Sequence, residues 1–199
     1  MQTIPRRIFV ILLALLIPIV PFIAIGELPG EHWLSATDEN ALLFGLTGAG
    51  LLTADVLLPI PSSIVGSMLG ARLGFSAGWA WAWAGLSVGN SIGYMAGRLL
   101  LSRFQPVIPQ TPALLLLFVS RPVPILAEAV TFTAGAERMG FLRFLVTAML
   151  GNGIYSFALA ANGAALLPGA AVGPGLILPM ALPVLAWLIW RWLMKRKRR

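Results

Sequence analysis

Six apolar stretches take up most of this 199-residue chain, at roughly 8–25, 41–71, 76–101, 111–136, 141–167 and 174–194. This pattern restricts the fold more than any other feature. A membrane span needs about 20 apolar residues. The first, third, fifth and sixth stretches have that length. The second and fourth are too long for one crossing and too short for two crossings with a turn. Each also carries two prolines near its middle, Pro59 and Pro61 in one and Pro122 and Pro124 in the other. Proline removes an amide donor and biases the residue before it towards extended backbone. Each of these stretches is therefore expected to be a re-entrant hairpin, with two short helices meeting at a proline turn. Irregular backbone at membrane depth is tolerated where protein buries it or a wet cavity solvates it.

Composition points the same way. The chain is 58% hydrophobic and 11% charged, with mean hydropathy +0.88, whereas soluble domains carry about a quarter charged residues. There is no cysteine, and the single histidine, His32, falls in a polar loop. Disulfides, thiolate metal sites and cysteine nucleophiles are excluded, and a histidine-rich metal site loses its material. No Walker loop, HExxH, GxSxG or dinucleotide fingerprint occurs. No metal, cofactor or catalytic residue is expected.

Net charge is +7, and five of the fourteen basic residues form the terminal run Lys195, Arg196, Lys197, Arg198 and Arg199. The run directly follows an apolar stretch. It reads as a cytoplasmic anchor beside anionic lipid, not as a nucleic-acid face. Arg6 and Arg7 before the apolar run 8–25, with Ala24-Ile25-Gly26 at its end, imitate a secretory signal. The reading adopted is a first span.

Charge placement orders the spans. With Arg6 and Arg7 inside, the first span puts Glu27, Glu31, His32, Asp38 and Glu39 outside. Hairpin one then enters and leaves on the outer side. Span two returns Arg98 and Arg103 to the inside. Hairpin two dips from the inside, leaving Arg138 and Arg143 there. Span three leads out to the Gly/Pro loop near 168–175, and the last span returns the basic tail. Almost every basic residue lies on the cytoplasmic side, with Arg72 the exception, as the positive-inside rule asks. The expected fold is an all-α integral membrane protein of four transmembrane helices plus two re-entrant hairpins. It forms a single membrane domain over 1–199. The first span ends at 25, hairpin one with span two covers 41–101, hairpin two with span three covers 111–167, the last span is 174–194 and the tail is 195–199.

The two halves repeat. Pro59 and Pro61 are followed by Gly70-Ala71-Arg72-Leu73-Gly74-Phe75 and then by Gly89-Asn90 and Tyr94. Pro122 and Pro124 are followed by Gly135-Ala136-Glu137-Arg138-Met139-Gly140-Phe141 and then by Gly151-Asn152 and Tyr155. In the topology above the two copies enter from opposite faces. This is an inverted repeat, a plan in which a site forms where broken helices meet.

Ionisable groups inside a membrane are costly, so each is a candidate for function. Asp55 lies one turn before Pro59, Arg121 directly precedes Pro122, and Glu128 follows the second turn. A structural ion pair between Asp55 and Arg121 is the plainer alternative. Ser62 and Ser63 open the helix after Pro61. They read either as N-caps or as part of an anion site at a helix start. Arg121 stands at the equivalent turn, and guanidinium suits phosphate. Asn90 and Asn152 read as interhelical bonds or as the lining of a polar path. Gly85, Gly89, Gly93 and Gly97 recur at close-packing spacing. Trp79, Trp81, Trp83, Trp187, Trp190 and Trp192 read as interfacial belts.

The run from Asp55 through Pro59, Pro61, Ser62 and Ser63 to Gly70 and Gly74 resembles the DedA family, also called the VTT or SNARE-associated domain. The likeness continues through Gly85, Gly89, Tyr94, Gly97, Arg98, Ser120, Arg121, Pro122, Pro124, Gly135, Met139 and Phe144, over about residues 40–160. It implies two re-entrant hairpins in a bacterial inner-membrane protein that moves lipids between leaflets. Substrates in the family include undecaprenyl phosphate and phosphatidylethanolamine, often with dependence on proton or sodium gradients. Asp55 falls at the family's acidic position and Arg121 at the first arginine of its second motif. The family often has an acidic residue where Ser63 stands and a second arginine near Ala127.

The function expected is therefore a non-enzymatic flippase or scramblase for a phosphate-bearing lipid. Arg121, Ser62, Ser63, Asn90 and Asn152 would meet the headgroup. Asp55 and Glu128 would compensate charge or carry a coupling proton or sodium ion. Nucleic acid is not an expected partner, and a homo-oligomer stays open. The alternatives are a membrane enzyme acting on lipid phosphates, with Asp55 or Glu128 as its base, and a non-transporting membrane-homeostasis factor.

Overall fold

The computed structural model describes residues 3–26, 28–35, 40–102 and 124–165. The regular elements among them are all helices: α1 (Thr3–Ile25), α2 (Gly30–Ser35), α3 (Ala41–Ala54), α4 (Ser62–Leu100), α5 (Pro124–Ala136) and α6 (Phe141–Ala165). α4 is interrupted at Gly74, where φ is 77° and ψ is 169°. Only glycine adopts that backbone readily. The break divides α4 into a short arm, 62–73, and a long segment, 75–100.

Two short helices meet at the first proline pair, as the sequence suggests. Asn40 starts α3 by accepting the Leu42 and Leu43 amides at 3.0 and 3.1 Å. α3 ends at Ala54 with Asp55 as its C-cap. The chain then turns through Pro59 and Pro61 and returns as the 62–73 arm. At 1.5 Å per residue, α3 is about 21 Å long, the returning arm about 18 Å and α5 about 20 Å. None alone crosses a hydrocarbon core about 30 Å thick.

The cap of α4 differs from the expectation. Pro61, not Ser62 or Ser63, occupies the N-cap position, and no side chain caps this helix. The reason lies in the turn. Ile60 N–H donates to the Leu58 carbonyl and Ser62 N–H to the Ile60 carbonyl, both at 2.8 Å. The chain is thereby folded tightly enough that the helix begins at Ser62 itself. The second proline turn at Pro122 lies outside the described residues, and Pro124 opens α5.

α5 ends in a left-handed cap. Arg138 has φ 54°. Its amide donates to Gly135 at 2.9 Å, and the Met139 amide donates to Ala134 at 3.1 Å. These are the two bonds of a Schellman motif. Gly140 then begins α6 by accepting the Phe144 amide. The corners at Gly74-Phe75 and Gly140-Phe141 thus join a short arm to a long helix in both halves.

The packing of the halves also matches. Gly70 on the first arm meets the Ala160 backbone of α6, while Gly135 on α5 meets the Tyr94 and Arg98 backbone of α4. A side chain at either glycine would collide with main chain. Phe75 meets Phe157 at 4.9 Å between ring centroids, and Phe141 meets Tyr94 at 5.4 Å. Each short arm therefore packs on the long helix of the other half. Between these two sets the repeat's own asparagines touch, with Asn90 Nδ2 donating to Asn152 Oδ1 at 3.1 Å. The Gly85, Gly89, Gly93 and Gly97 ridge works as its spacing predicts. It admits α3 at Ala49 and Thr53 and α5 at Thr131 and Phe132.

One further expectation is corrected and another is extended. The linker after α1 is not simply a polar loop. Residues 30–35 form α2, and Leu34 is fully buried with Ile60 and Val65. The Leu28 amide donates to the Pro59 carbonyl at 2.8 Å. Its apolar residues supply a partner and a cover for a proline-rich turn that is short of amides, while His32 stays exposed. The tryptophans 79, 81 and 83, read from the sequence as a belt, also make contacts within the fold. Trp79 Nε1 donates to the Gly153 carbonyl at 3.0 Å and Trp83 Nε1 to the Met149 carbonyl at 2.9 Å. Trp81 fills the space left above Gly45. They join α4 to its neighbours because the small residues opposite leave room for indoles. Trp187, Trp190 and Trp192 lie outside the described residues.

Large apolar side chains are exposed among the described residues, and a few polar side chains lie within a mostly apolar interior. Leu12, Val20 and Ile23 of α1, Leu42 of α3, Leu99 of α4 and Leu142 and Leu150 of α6 are exposed. Ser62, Asn90, Thr131, Asn152 and Ser156 are buried. Among the described residues one helix, Phe141–Ala165, is long and apolar enough to cross a membrane, with mean hydropathy 1.5.

Candidate functional site

A cavity of about 30 Å³ lies where α3, the start of α4, the long part of α4, α5 and α6 converge. Its polar lining is Asp55, Ser62, Asn90, Glu128, Asn152 and Tyr155. Leu52, Val56, Leu86 and Ala127 complete much of the wall. A space of this size holds about one or two water molecules.

Each polar group arrives by a different local device. Asp55 is delivered as the C-cap of α3, four residues before Pro59. Ser62 is delivered by the turn itself, as the first residue of α4. Glu128 lies on the second turn of α5, one position after Ala127, so Ala127 lines the cavity beside it. Asp55 and Glu128 are each half-buried. Asn90 and Asn152 come from the long helices of the two halves and touch each other. They are 6% and 0% exposed, so their polar groups have little access to bulk solvent.

The amides are ordered by a short chain of bonds. Asn90 Nδ2 donates to Asn152 Oδ1, and Asn152 Nδ2 donates to Ser87 Oγ at 3.3 Å. Ser156, one turn beyond Asn152, donates back to the Asn152 carbonyl at 2.6 Å. Buried amides are costly unless bonded in this way. The pair is therefore both a joint between the two long helices and part of the cavity wall.

Five of the sequence candidates thus share one space: Asp55, Ser62, Asn90, Glu128 and Asn152. Pro59 and Pro61 shape the turn beside it, and Pro61 is buried. Ser63 is exposed and does not appear in the cavity lining. The helix start also offers fewer donors than its position suggests. The Ser62 amide is already given to Ile60, and those of Ile64 and Val65 to Pro61. Arg121 and Pro122 lie outside the described residues, as does any contact between Arg121 and Asp55.

Tyr155 is the cavity residue that was not singled out for chemistry in the sequence. It marks the repeat there, and its spacing carried the missing signal. It lies three residues after Asn152, so the two share a helical face. Ser87 relates to Asn90 in the same way on α4.

Nothing matches this chain among protein-family models, curated proteins or solved structures.

Proposed function

We propose that this chain is a multi-pass inner-membrane protein that moves a phosphate-bearing lipid between leaflets. In this reading four spans and two re-entrant hairpins form an inverted repeat, with both termini cytoplasmic. The observation that carries it is the cavity. Polar side chains from both halves converge beside a broken helix, under an exterior that is largely apolar. A hydrocarbon core rejects a phosphate group, so a path across it must supply fixed polar groups in place of water. Ser62, Asn90 and Asn152 are such groups. Arg121, next to the second proline pair in sequence, would add a guanidinium fork for the phosphate. Asp55 and Glu128 would balance that charge or carry a coupling proton or sodium ion.

The matching contacts of the two halves support the same reading. Two equivalent arms packed on opposite long helices can exchange roles, as alternating access requires. The cavity is too small for a headgroup, so in this reading the site widens to admit one. The resemblance of residues 40–160 to the DedA family supports lipid movement independently of the geometry.

Reconstitution tests this function. Purified protein in liposomes should accelerate transbilayer movement of polyprenyl phosphate or phospholipid at least tenfold over empty liposomes. The assay is run with and without proton and sodium gradients. Protein that moves neither lipid under any gradient would overturn the transport reading. Release of phosphate from the lipid would favour the enzyme reading instead.

A further inference from the structure

A second space lies beside the cavity. It is an apolar groove of about 730 Å³ between α4 and α6, lined by Ala84, Val88, Ile92 and Met95 on one side and by Leu145 and Met149 on the other. Val88 is 52% exposed and Met95 49%, so the groove faces outward. Ser87 lines the groove, and Asn90, one turn further along α4, lines the cavity. On α6, Met149 lines the groove and Asn152, one turn further along, lines the cavity. Two side-chain links join the helices here: Trp83 Nε1 to the Met149 carbonyl at the groove, and the bond chain from Asn90 through Asn152 to Ser87 between groove and cavity.

We infer that the groove holds the hydrocarbon chain of the transported lipid and that the Asn90–Asn152–Ser87 chain is the gate between chain groove and headgroup cavity. This rests on the transport reading and extends it to the other half of the substrate. An amphiphile needs an apolar track beside its polar one, since its chain gains nothing by entering a polar cavity. Here the two tracks lie one helical turn apart on both α4 and α6, and side-chain hydrogen bonds join the helices at that turn. Such bonds open at modest net cost when another polar group replaces the lost partner. A phosphate or hydroxyl of a headgroup is such a replacement. The headgroup would part the two amides and pass inward, while its chain stays against Val88, Ile92 and Met95. The volume is within the range of sites that enclose small ligands.

The test uses a photoreactive lipid with a diazirine near the end of its chain, in proteoliposomes of the full chain. Labelling of Val88 and Met95 is read by mass spectrometry against Leu150, an exposed residue of α6 that samples bulk lipid. Groove residues should be labelled several-fold more than Leu150. Ala84→Phe fills the groove and should remove that excess and slow lipid movement at least tenfold. Val146→Phe, on the exposed face of α6 outside the groove, should change neither. Melting temperature and oligomeric state are measured for both variants. Equal labelling of Val88 and Leu150, or unchanged transport in Ala84→Phe, would overturn the inference. So would protection of Val88 in the wild-type protein, which would mean that protein covers the groove, either another segment of this chain or a second copy. Excess groove labelling in a protein that moves no lipid would preserve the chain site and defeat the transport reading alone.

Discussion

Asn152 joins the two long helices through its side chain. It is fully buried, accepts from Asn90 and donates to Ser87. Asn152→Ala removes both bonds and leaves the Asn90 amide and the Ser87 hydroxyl to find other partners. The expected cost is about 1–3 kcal/mol for the groups left unsatisfied, read as a lower melting temperature in detergent. Ser63→Ala, at an exposed position with no capping role, should change stability by less than about 0.5 kcal/mol. Gly135→Val is the steric counterpart. Its side chain would meet the Tyr94 carbonyl and the Arg98 amide, and backbone cannot swing aside as a side chain can. Destabilisation of about 1–3 kcal/mol or more is expected from such overpacking. A variant as stable as the parent would show that α5 and α4 do not approach as closely as described.

At the scale of elements, the corners decide how an arm meets a long helix. Gly74 has φ 77° with nothing within 4 Å of where a Cβ would stand. Gly74→Ala therefore tests backbone alone. It should cost about 1–3 kcal/mol, the range for a non-glycine residue held in this region. No loss would mean that α4 runs straight through residue 74. The equivalent corner uses Arg138 in a left-handed cap, so Arg138→Gly should be neutral or stabilising by about 1 kcal/mol. These opposite signs at matching corners can be read in one set of thermal melts. The proline turn was legible in sequence because prolines forbid a continuous helix there. Its partner was not. Nothing in Leu28 or Leu34 announces that they will cover Pro59 and Ile60, since that contact depends on the chain's path between α1 and α3.

At the scale of the molecule, two expectations concern the membrane. The chain has no cysteine, so single cysteines report position without background. A cysteine at 103 should be protected from a membrane-impermeant thiol reagent added outside, and one at 31 should react. External labelling at 103 would sink the topology. Arg121→Ala should lower transport of the phosphate-bearing lipid by at least tenfold while the protein stays folded in detergent. Loss of a guanidinium that meets a phosphate removes about 1.5–3 kcal/mol of charge-assisted bonding, which is ample for that factor.

The sequence by itself determined the helical class and the proline break and glycine ridge of the first half. Each of these follows from local rules: helix period, missing amides and the volume of a side chain. It also named five residues that meet in one cavity, because a charge or amide within an apolar run is conspicuous wherever it ends up. Only the tertiary structure decided what those residues do to one another. Asn90 and Asn152 are 62 positions apart and bond directly, while Ser63, adjacent to Ser62, faces away. Three tryptophans that look interfacial in sequence also join helices. The physical reason is the same in each case. Which face of a helix meets which neighbour is set by the crossing of two long helices and the glycines that let them close, and no single segment contains that geometry.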